Sequence, residues 1–319
     1  MLLACGSILI PIFNTSCHKT THKSRYIIGF SQVTVKEPWR VVFNEKLKQK
    51  ALELSDQVEL IMLDADDKTE NQVEHIKTFI AKRLDAILIS PKEASGCSKV
   101  IEEATEMGIP VIVLDRDITY KGYAAFVGAD NKVIGRAAGK RAVELLGGID
   151  KARGKIYEIC GSLASTPAQE RRDGFHEIVN KAPNIQIIGG LDGDWKLDKA
   201  KEIAQDALQV HKDIDIIYAH NDPMAYGAYQ AAKELGMEKD ICFFGIDGLP
   251  HEGCIWVKNN ILEATFLYPT PGEKGLEIAL DILEGRKKIV PGERIILGTA
   301  VITKNNVDQF INEISTHSD

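Results

Sequence analysis

The stretch "GIPVIVLDRD", residues 108–117, contains the end of a helix, a buried strand and three charged residues that follow the strand. Its glycine and proline end the preceding helix and start a strand, and residues 111–114 are apolar without interruption. Such a run is typical of a parallel-sheet strand covered on both faces. The charged residues 115–117 follow at once, so they lie at the carboxyl end of that strand. The stretch therefore predicts a parallel sheet with polar side chains at its strand ends.

The same pattern recurs on both sides of this stretch. Amphipathic helical segments alternate with the strands, among them residues 71–84, 98–108 and 131–148, the last with Asn131 as its N-cap. This alternation predicts an α/β protein with helices on both faces of parallel sheets, and its length predicts two doubly wound lobes. The other strand-like runs are residues 26–30, 58–64, 85–90, 155–160, 185–192, 214–220, 241–247 and 261–268.

Length and charge narrow the function classes. The 319 residues, 44% of them hydrophobic, can bury a sizeable core and suit two domains of roughly 100–200 residues each. The formal net charge of −7 argues against nucleic acid as a partner, because nonspecific affinity for phosphates comes from clustered Lys and Arg. We therefore expect no nucleic-acid partner.

The amino-terminal segment "MLLACGSILIPIFNTSC", residues 1–17, differs from the rest. Its apolar run has the length of a signal-peptide core and is too short for a permanent membrane span. "NTSC" resembles a bacterial lipobox, which implies lipidation at Cys17. A cleaved signal without lipidation, or a signal-anchor helix, remains an alternative. We expect a signal or lipoprotein segment with a linker over residues 1–24, and a location in the periplasm or cell envelope with membrane contact only through that anchor.

The later cysteines, Cys97, Cys160, Cys242 and Cys254, form no C-x-x-C pair. Two of them lie inside apolar runs, where a free Cys behaves as a small hydrophobic residue. We interpret all four as core residues rather than ligands, with a single disulfide left open.

The predicted strand ends are rich in carboxylate, amide and guanidinium groups. They show no nucleophile–base pair, no metal-ligand spacing and no dinucleotide or phosphate-loop fingerprint, so we expect no metal, no cofactor and no catalysis. Carboxylates accept hydrogen bonds from hydroxyls, Arg and Asn donate to oxygens, and an indole face packs on the C–H face of a sugar. These groups favour a polyol ligand.

Several motifs together resemble one family. The chain over about residues 26–304 is similar to the periplasmic sugar-binding proteins of the ribose/galactose-binding type, closest to the galactofuranose-binding branch. It is also similar to the fructose-sensing periplasmic domain of hybrid two-component sensors. The motifs are "GFSQVTVKEPWR" (29–40), "GIPVIVLDRD" (108–117), "STPAQERRDGF" (165–175), "IIYAHNDPMAYGAYQAAKELG" (216–236) and "FFGIDG" (243–248).

The resemblance implies the type I periplasmic-binding-protein fold, two doubly wound parallel-sheet lobes joined by a hinge. Lobe 1 is expected over residues 25–129 plus 269–297, and lobe 2 over residues 130–268 plus 298–319. The hinge strands are expected near residues 128–129, 268–269 and 298–299.

The resemblance also implies which residues of this chain bind the ligand. Asp115 and Arg116 match the pair that bonds sugar hydroxyls. Trp39 and Trp195 match aromatic residues that pack on the sugar ring. Arg40 and Tyr268 replace an aromatic residue and a glutamine of the ribose branch, which points away from ribose. The full set is Trp39, Arg40, Asp115, Arg116, Arg171, Trp195, Asn221, Asp247 and Tyr268.

Each of these residues has an alternative structural role as a cap, a turn or a packing residue. Buried Arg116 and Arg171 need carboxylates or sugar oxygens, and the candidate carboxylates are Asp115, Asp117 and Asp247. Asp117 either orients Arg116 or begins a solvated loop.

The resemblance leaves two functions open, sugar import and sugar sensing. A protein of this type delivers its monosaccharide, here a furanose or ketose such as galactofuranose or fructose, to the membrane permease of an ABC importer. The alternative is a periplasmic sensor domain that signals to a membrane histidine kinase.

Overall fold

A computed structural model describes residues 25–312 of the chain. The predicted signal segment and the lipidation site at Cys17 lie outside these residues. Within residues 25–312, no helix is both long enough and apolar enough to cross a bilayer.

Strands and helices alternate along most of the described chain. The strands are β1 Tyr26–Gln32, β2 Val58–Asp64, β3 Ala86–Ser90, β4 Val111–Leu114, β5 Ala125–Ala129, β6 Arg153–Cys160, β7 Asn184–Ile187, β8 Leu191–Asp192, β9 Ile216–Ala219, β10 Cys242–Phe244, β11 Ala264–Phe266, β12 Arg294–Leu297 and β13 Val301–Thr303. The helices are α1 Pro38–Glu53, α2 Thr69–Ala81, α3 Ser98–Glu106, α4 Asn131–Leu145, α5 Thr166–Val179, α6 Leu197–Val210, α7 Asp222–Glu234, α8 Gly253–Lys258, α9 Gly272–Leu283 and α10 Val307–Asn312.

These strands form two sheets. The first has the order β12-β5-β4-β3-β1-β2, and every pairing in it is parallel. The second has the order β13-β11-β10-β9-β6-β7, with β8 also beside β6, and is parallel except where β13 runs antiparallel to β11. The predicted fold class, α/β with two doubly wound parallel-sheet lobes, is confirmed.

The chain passes between the two sheets more than once. It leaves the first sheet after β5, returns to it between β11 and β12, and leaves it again between β12 and β13. The strand ends of both sheets are thereby held close to the crossing segments.

Some predicted elements have different bounds. The strand predicted over residues 185–192 is two short strands, because the chain turns at Gly190 with a φ of 125°. The sequence pattern predicted no strand at β5, β12 or β13. Strand β5 follows β4 without a helix between them, and the edge strands β12 and β13 are short. The N-cap of α4 is Asp130, not Asn131, since the Asp130 side chain accepts a hydrogen bond from Val133 N at 2.9 Å.

The four later cysteines are free thiols, so the disulfide left open by the sequence does not form among the described residues. Cys97, Cys160 and Cys254 are buried and Cys242 is half-buried. Their predicted place in the core is therefore confirmed for three and partial for the fourth.

Helices α4 and α5 approach closely enough to need glycine at their contact. A Cβ atom at Gly135 would lie 2.2 Å from the carbonyl oxygen of Arg171, and one at Gly174 would lie 2.2 Å from that of Lys132. Two helices whose backbones touch leave little freedom of position. This contact fixes the part of α5 that carries Arg171.

Candidate functional site

Polar strand ends of the two sheets meet at a cavity with about 390 Å³ of empty space. Asp115 follows β4, Asn221 follows β9 and Asp247 follows β10 closely. All nine residues named by the sequence line this one cavity, and four further residues complete its lining: Glu37, Pro38, Pro167 and Pro223.

Asp115 is the centre of the hydrogen bonding on the lobe 1 side. It accepts hydrogen bonds from Arg40 Nη2 at 3.0 Å, from Ser90 Oγ at 3.1 Å and from Tyr268 Oη at 2.7 Å. Burial alone would raise the pKa of Asp115, but the nearby guanidiniums of Arg40 and Arg116 outweigh burial and hold it below its usual value. Asp115 is therefore an ionised carboxylate inside the protein.

Arg40 connects α1 to several strand ends. Its Nε donates to Glu37 Oε2 at 2.9 Å, and its Nη1 donates to Gln32 Oε1 at 2.9 Å and to Ser90 Oγ at 3.0 Å. Together with the bond to Asp115, these contacts engage all three guanidinium nitrogens. Because hydrogen bonds hold the planar guanidinium of Arg40 on every side, the group keeps its orientation in the absence of a ligand.

Arg116 and Asp117 do not pair with each other, although such a pair was one of the two alternatives for Asp117. Arg116 Nε lies 3.8 Å from Asp115 Oδ2, and its Nη1 donates to Lys92 O at 3.1 Å. Asp117 is buried and accepts from Tyr123 Oη at 2.9 Å and from Arg294. Both predictions for Asp117 are wrong, because the chain turns after Arg116 and directs the next carboxylate away from the cavity.

Arg171 makes no ion pair with a carboxylate in the described part of the chain. Its Nε donates to Asn131 Oδ1 at 2.9 Å and its Nη1 donates to the carbonyl of His220. The guanidinium carbon lies 4.4 Å from the ring centroid of Tyr268 and 5.4 Å from that of Trp195. Neither Asp117 nor Asp247 is within ion-pair distance, so this buried cation keeps capacity for an anionic or hydroxyl oxygen.

The two tryptophans differ in what their indole N–H groups do. Trp39 Nε1 donates to the carbonyl of Tyr268 at 2.7 Å, so only its ring face remains for contact. Trp195 is 8% exposed, and its Nε1 is buried with no hydrogen-bond partner among the described residues. The Trp195 ring faces Arg116 and Arg171, with each guanidinium carbon 5.4 Å from its centroid. Trp195 therefore lines the cavity and also carries an indole N–H that no described residue uses.

Asn221 and Asp247 also differ in hydrogen bonding. Asn221 caps α7 by accepting from Met224 N at 2.9 Å, and its amide donates to the carbonyl of Trp195 at 3.1 Å. Asp247 lines the cavity, and no group in residues 25–312 donates a hydrogen bond to its carboxyl. Burial, together with the negative charge of Asp222, raises the pKa of Asp247. Asp247 is thus an acceptor that the fold leaves open.

A separate polar cluster lies on the second sheet. Glu158 Oε1 and Oε2 contact His220 Nε2 at 3.1 Å and His176 Nε2 at 2.8 Å. Burial would raise the pKa of Glu158, but hydrogen bonds from the two imidazoles lower it to about 2. Ligand atoms of Glu158, Cys160 and His220 also lie within 4.8 Å of one another, yet both carboxylate oxygens are already engaged. His220 thus acts as a hydrogen-bonding partner of Glu158 at the end of β9.

Several contributing residues were absent from the predicted set. Gln32 and Ser90 end β1 and β3, and their strand-end position was a usable signal because Asp115 was found by it. Glu37 acts through Arg40, and their i,i+3 spacing at the start of α1 was a usable local signal. Asn131 acts through Arg171, and no local pattern in the sequence indicates that partnership.

Comparison with known proteins agrees with this fold. Residues 28–287 match the family model described as a periplasmic binding protein domain. The galactofuranose-binding protein YtfQ of Escherichia coli (strain K12) is 36% identical over 231 residues, which are 70% of this chain and 71% of that protein.

Two solved structures extend the comparison. The fructose-binding periplasmic domain of a hybrid two-component system is 37% identical, with a TM-score of 0.86, and the match covers 92% of this chain and 95% of that one. The periplasmic binding component of the arabinose ABC transporter from Shewanella sp. ANA-3, bound to α- and β-L-arabinofuranose, is 28% identical, with a TM-score of 0.84 and coverage of 92% and 96%. This chain belongs to the periplasmic binding protein family.

Proposed function

We propose that this protein binds a monosaccharide in the inter-lobe cavity and delivers it to an ABC importer. The observation that carries the proposal is a set of hydrogen-bonding groups without partners that all belong to residues lining one cavity. Arg171 has no carboxylate partner, the Trp195 indole N–H has no acceptor and the Asp247 carboxyl has no donor, all among the described residues. A buried polar group without a partner is costly, and sugar hydroxyls and ring oxygens supply both donors and acceptors.

We propose a furanose or a ketose, such as galactofuranose or fructose, as the ligand in preference to ribose. Arg40 and Tyr268 stand where the ribose-binding branch has other residues, and both line the cavity. The relatives reported above are described as binding galactofuranose, fructose and arabinofuranose. Trp39 supplies a ring face and Trp195 a ring face with a donor, which suits a ligand with one C–H face and several hydroxyls.

Two lobes suit such a ligand because a monosaccharide needs nearly every hydroxyl paired while water is kept out. We propose an open free state and a closed liganded state, with lobe boundaries and hinge strands as given by the sequence. We also propose a binding role rather than a catalytic one, a periplasmic location and a lipid anchor at Cys17.

Titration calorimetry of the purified chain tests the sugar. The panel contains D-fructose, D-ribose, D-galactose, L-arabinose and related furanoses, and we expect a furanose or ketose to bind more tightly than ribose. The matched variants are Arg171→Lys, which alters a buried cavity residue, and Arg172→Lys, which alters its half-exposed neighbour. Only the first should weaken binding, and absence of heat with every monosaccharide would contradict the proposal.

The second candidate function is a sugar sensor that signals to a membrane histidine kinase. Its support is the 37% identity to the fructose-binding domain of a hybrid two-component system. Deletion of the gene distinguishes the two functions. Loss of uptake of the labelled sugar supports import, whereas normal uptake with a lost transcriptional response to the sugar supports sensing.

A further inference from the structure

A second and wider groove adjoins the inter-lobe cavity. This outer groove has about 1460 Å³ of empty space, part of it open to solvent, and both lobes contribute to its lining. Glu37 and Pro38 of lobe 1 and Trp195 and Pro223 of lobe 2 line the groove and the cavity alike. The two spaces therefore share one wall, and that wall is the seam along which the lobes meet.

An aromatic pair lies in the outer groove. The rings of Tyr226 on α7 and Trp256 on α8 are stacked, with centroids 4.4 Å apart and planes 6° apart. Both side chains are half-buried, so each leaves part of its surface to the groove. Flat aromatic surface beside polar groups is the arrangement on which the C–H face of a sugar packs.

The charges of the outer groove favour a neutral hydroxylated ligand. Its lining contains three lysines and five carboxylates, which disfavours an anion such as a phosphate. All three lysines have carboxylate neighbours: Lys36 lies 2.6 Å from Asp66, Lys196 lies 2.6 Å from Asp194 and Lys199 lies 3.8 Å from Asp192. Glu252 Oε2 is buried with no hydrogen-bond partner in the described chain, so it can accept from a hydroxyl.

The geometry points to a second glycosyl subsite in the outer groove. A disaccharide would place its terminal furanosyl unit in the inter-lobe cavity and its second sugar unit against Tyr226 and Trp256, with the glycosidic bond crossing the seam between Pro38 and Pro223. Residues on the two sides of the seam belong to different lobes, so lobe opening admits the linked sugar. This inference rests on the proposed function, because it requires a sugar in the inner cavity.

Titration calorimetry tests the subsite with free and linked sugars. For the monosaccharide that binds in the panel above, the probes are the free sugar and disaccharides that carry it as a terminal furanosyl unit; for fructose these are sucrose and inulobiose. We expect at least one disaccharide to bind with a Kd within about tenfold of that of the free sugar, as contact with the ring pair offsets the loss of full enclosure.

Variants locate the second unit. Trp256→Ala should raise the disaccharide Kd at least about tenfold and change the monosaccharide Kd by less than about twofold, since stacking is lost only in the groove. Lys199→Trp at the amino end of α6 fills the groove without removing a packed ring and should have the same selective effect. Lys212→Trp, just past the other end of α6, lies outside the groove and should change neither Kd.

The possible failures are separable. If no monosaccharide binds, the proposed function itself is wrong. If a monosaccharide binds and no disaccharide does, or if Trp256→Ala and Lys199→Trp leave disaccharide binding unchanged, the subsite is wrong and the proposed function stands. If these variants spare both affinities but abolish uptake, the groove is a permease-docking surface and the inference is overturned.

Discussion

Asp115→Asn removes one negative charge from the cavity and almost no volume. In the wild type, the carboxylate accepts from Arg40, Ser90 and Tyr268 at 3.0, 3.1 and 2.7 Å. An amide has one accepting oxygen, and its NH₂ group would face donors. Removing one partner of a buried ion pair costs about 3–5 kcal/mol, and Glu37 still pairs with Arg40 at 2.9 Å. We therefore expect a loss at the low end, about 3 kcal/mol in the free energy of unfolding.

The assay is urea unfolding of the ligand-free chain at pH 7, followed by the same titration at lower pH. Ser90→Ala is the matched control, because it removes a neutral hydroxyl that donates to Asp115 and accepts from Arg40 but leaves the ion pair in place, and it should cost only about 1–2 kcal/mol. The guanidiniums hold the pKa of Asp115 below its usual value, despite burial. The stability it supplies is present above the ordinary aspartate pKa and is lost as the pH falls through the lowered one, so the difference between wild type and Asp115→Asn should shrink in acid.

The same substitution should weaken sugar binding, because Arg40 and Tyr268 are held in place by this carboxylate. We expect a loss of about 2 kcal/mol, or roughly thirtyfold in Kd. An unfolding free energy within about 0.5 kcal/mol of the wild type would refute the structural role of Asp115. An unchanged Kd for the bound sugar would remove it from the binding site.

Three further substitutions test other parts of the structure. Glu158→Gln should lower the free energy of unfolding at pH 7 by about 3 kcal/mol, because the pKa of Glu158 is about 2 in the folded chain instead of 4.5. This stabilisation is fully present above pH 4.5 and is lost as the pH falls toward 2, so equal pH profiles of stability for variant and wild type would contradict the prediction. Gly135→Ala should raise the Kd for sugar, because its Cβ would lie 2.2 Å from the Arg171 carbonyl oxygen and displace α5. Gly148→Ala controls for the loss of a glycine, because a Cβ there meets no atom within 4 Å, although the positive φ of this residue costs some stability. Asp247→Asn should flatten the pH dependence of sugar affinity. In the wild type this affinity should rise as the pH passes the raised pKa of Asp247, because the ionised carboxylate is a stronger acceptor; calorimetry across the pH range in which the chain stays folded measures it.

The fold was predictable where a strand is buried on both faces. Strands β3 and β4 are buried along their whole length, residues 86–89 and 111–114 are uninterrupted apolar runs, and the structure places both strands almost where the pattern does. The edge strands β12 and β13 are half-exposed and short, so their sequences carry neither a continuous apolar run nor a long alternation. Their strand character comes from pairing with β5 and β11, which no local pattern contains.

The candidate site was predictable as a set of positions and less so as a set of bonds. Side chains at the carboxyl ends of parallel strands converge by topology, so Asp115 and Asn221 could be grouped from sequence. Which donor faces which acceptor depends on side-chain direction after the strand ends. Asp117, three residues beyond β4, shows this limit, because it accepts hydrogen bonds from Tyr123 and Arg294 and does not pair with Arg116.

Backbone conformation explains why these bonds were hidden from the sequence. Eight described residues other than glycine have positive φ, and three of them line the cavity: Asp115 at 68°, Trp195 at 63° and Asp247 at 140°. Such conformations cost of order 1–3 kcal/mol each unless the surroundings enforce them, and glycine would adopt them at lower cost. Each of the three residues lines the cavity with a charged or aromatic side chain, so we attribute the retained backbone strain to the role of that side chain in the cavity. Side-chain periodicity does not report the sign of φ, so the turns that aim these groups arise from packing of the whole lobe.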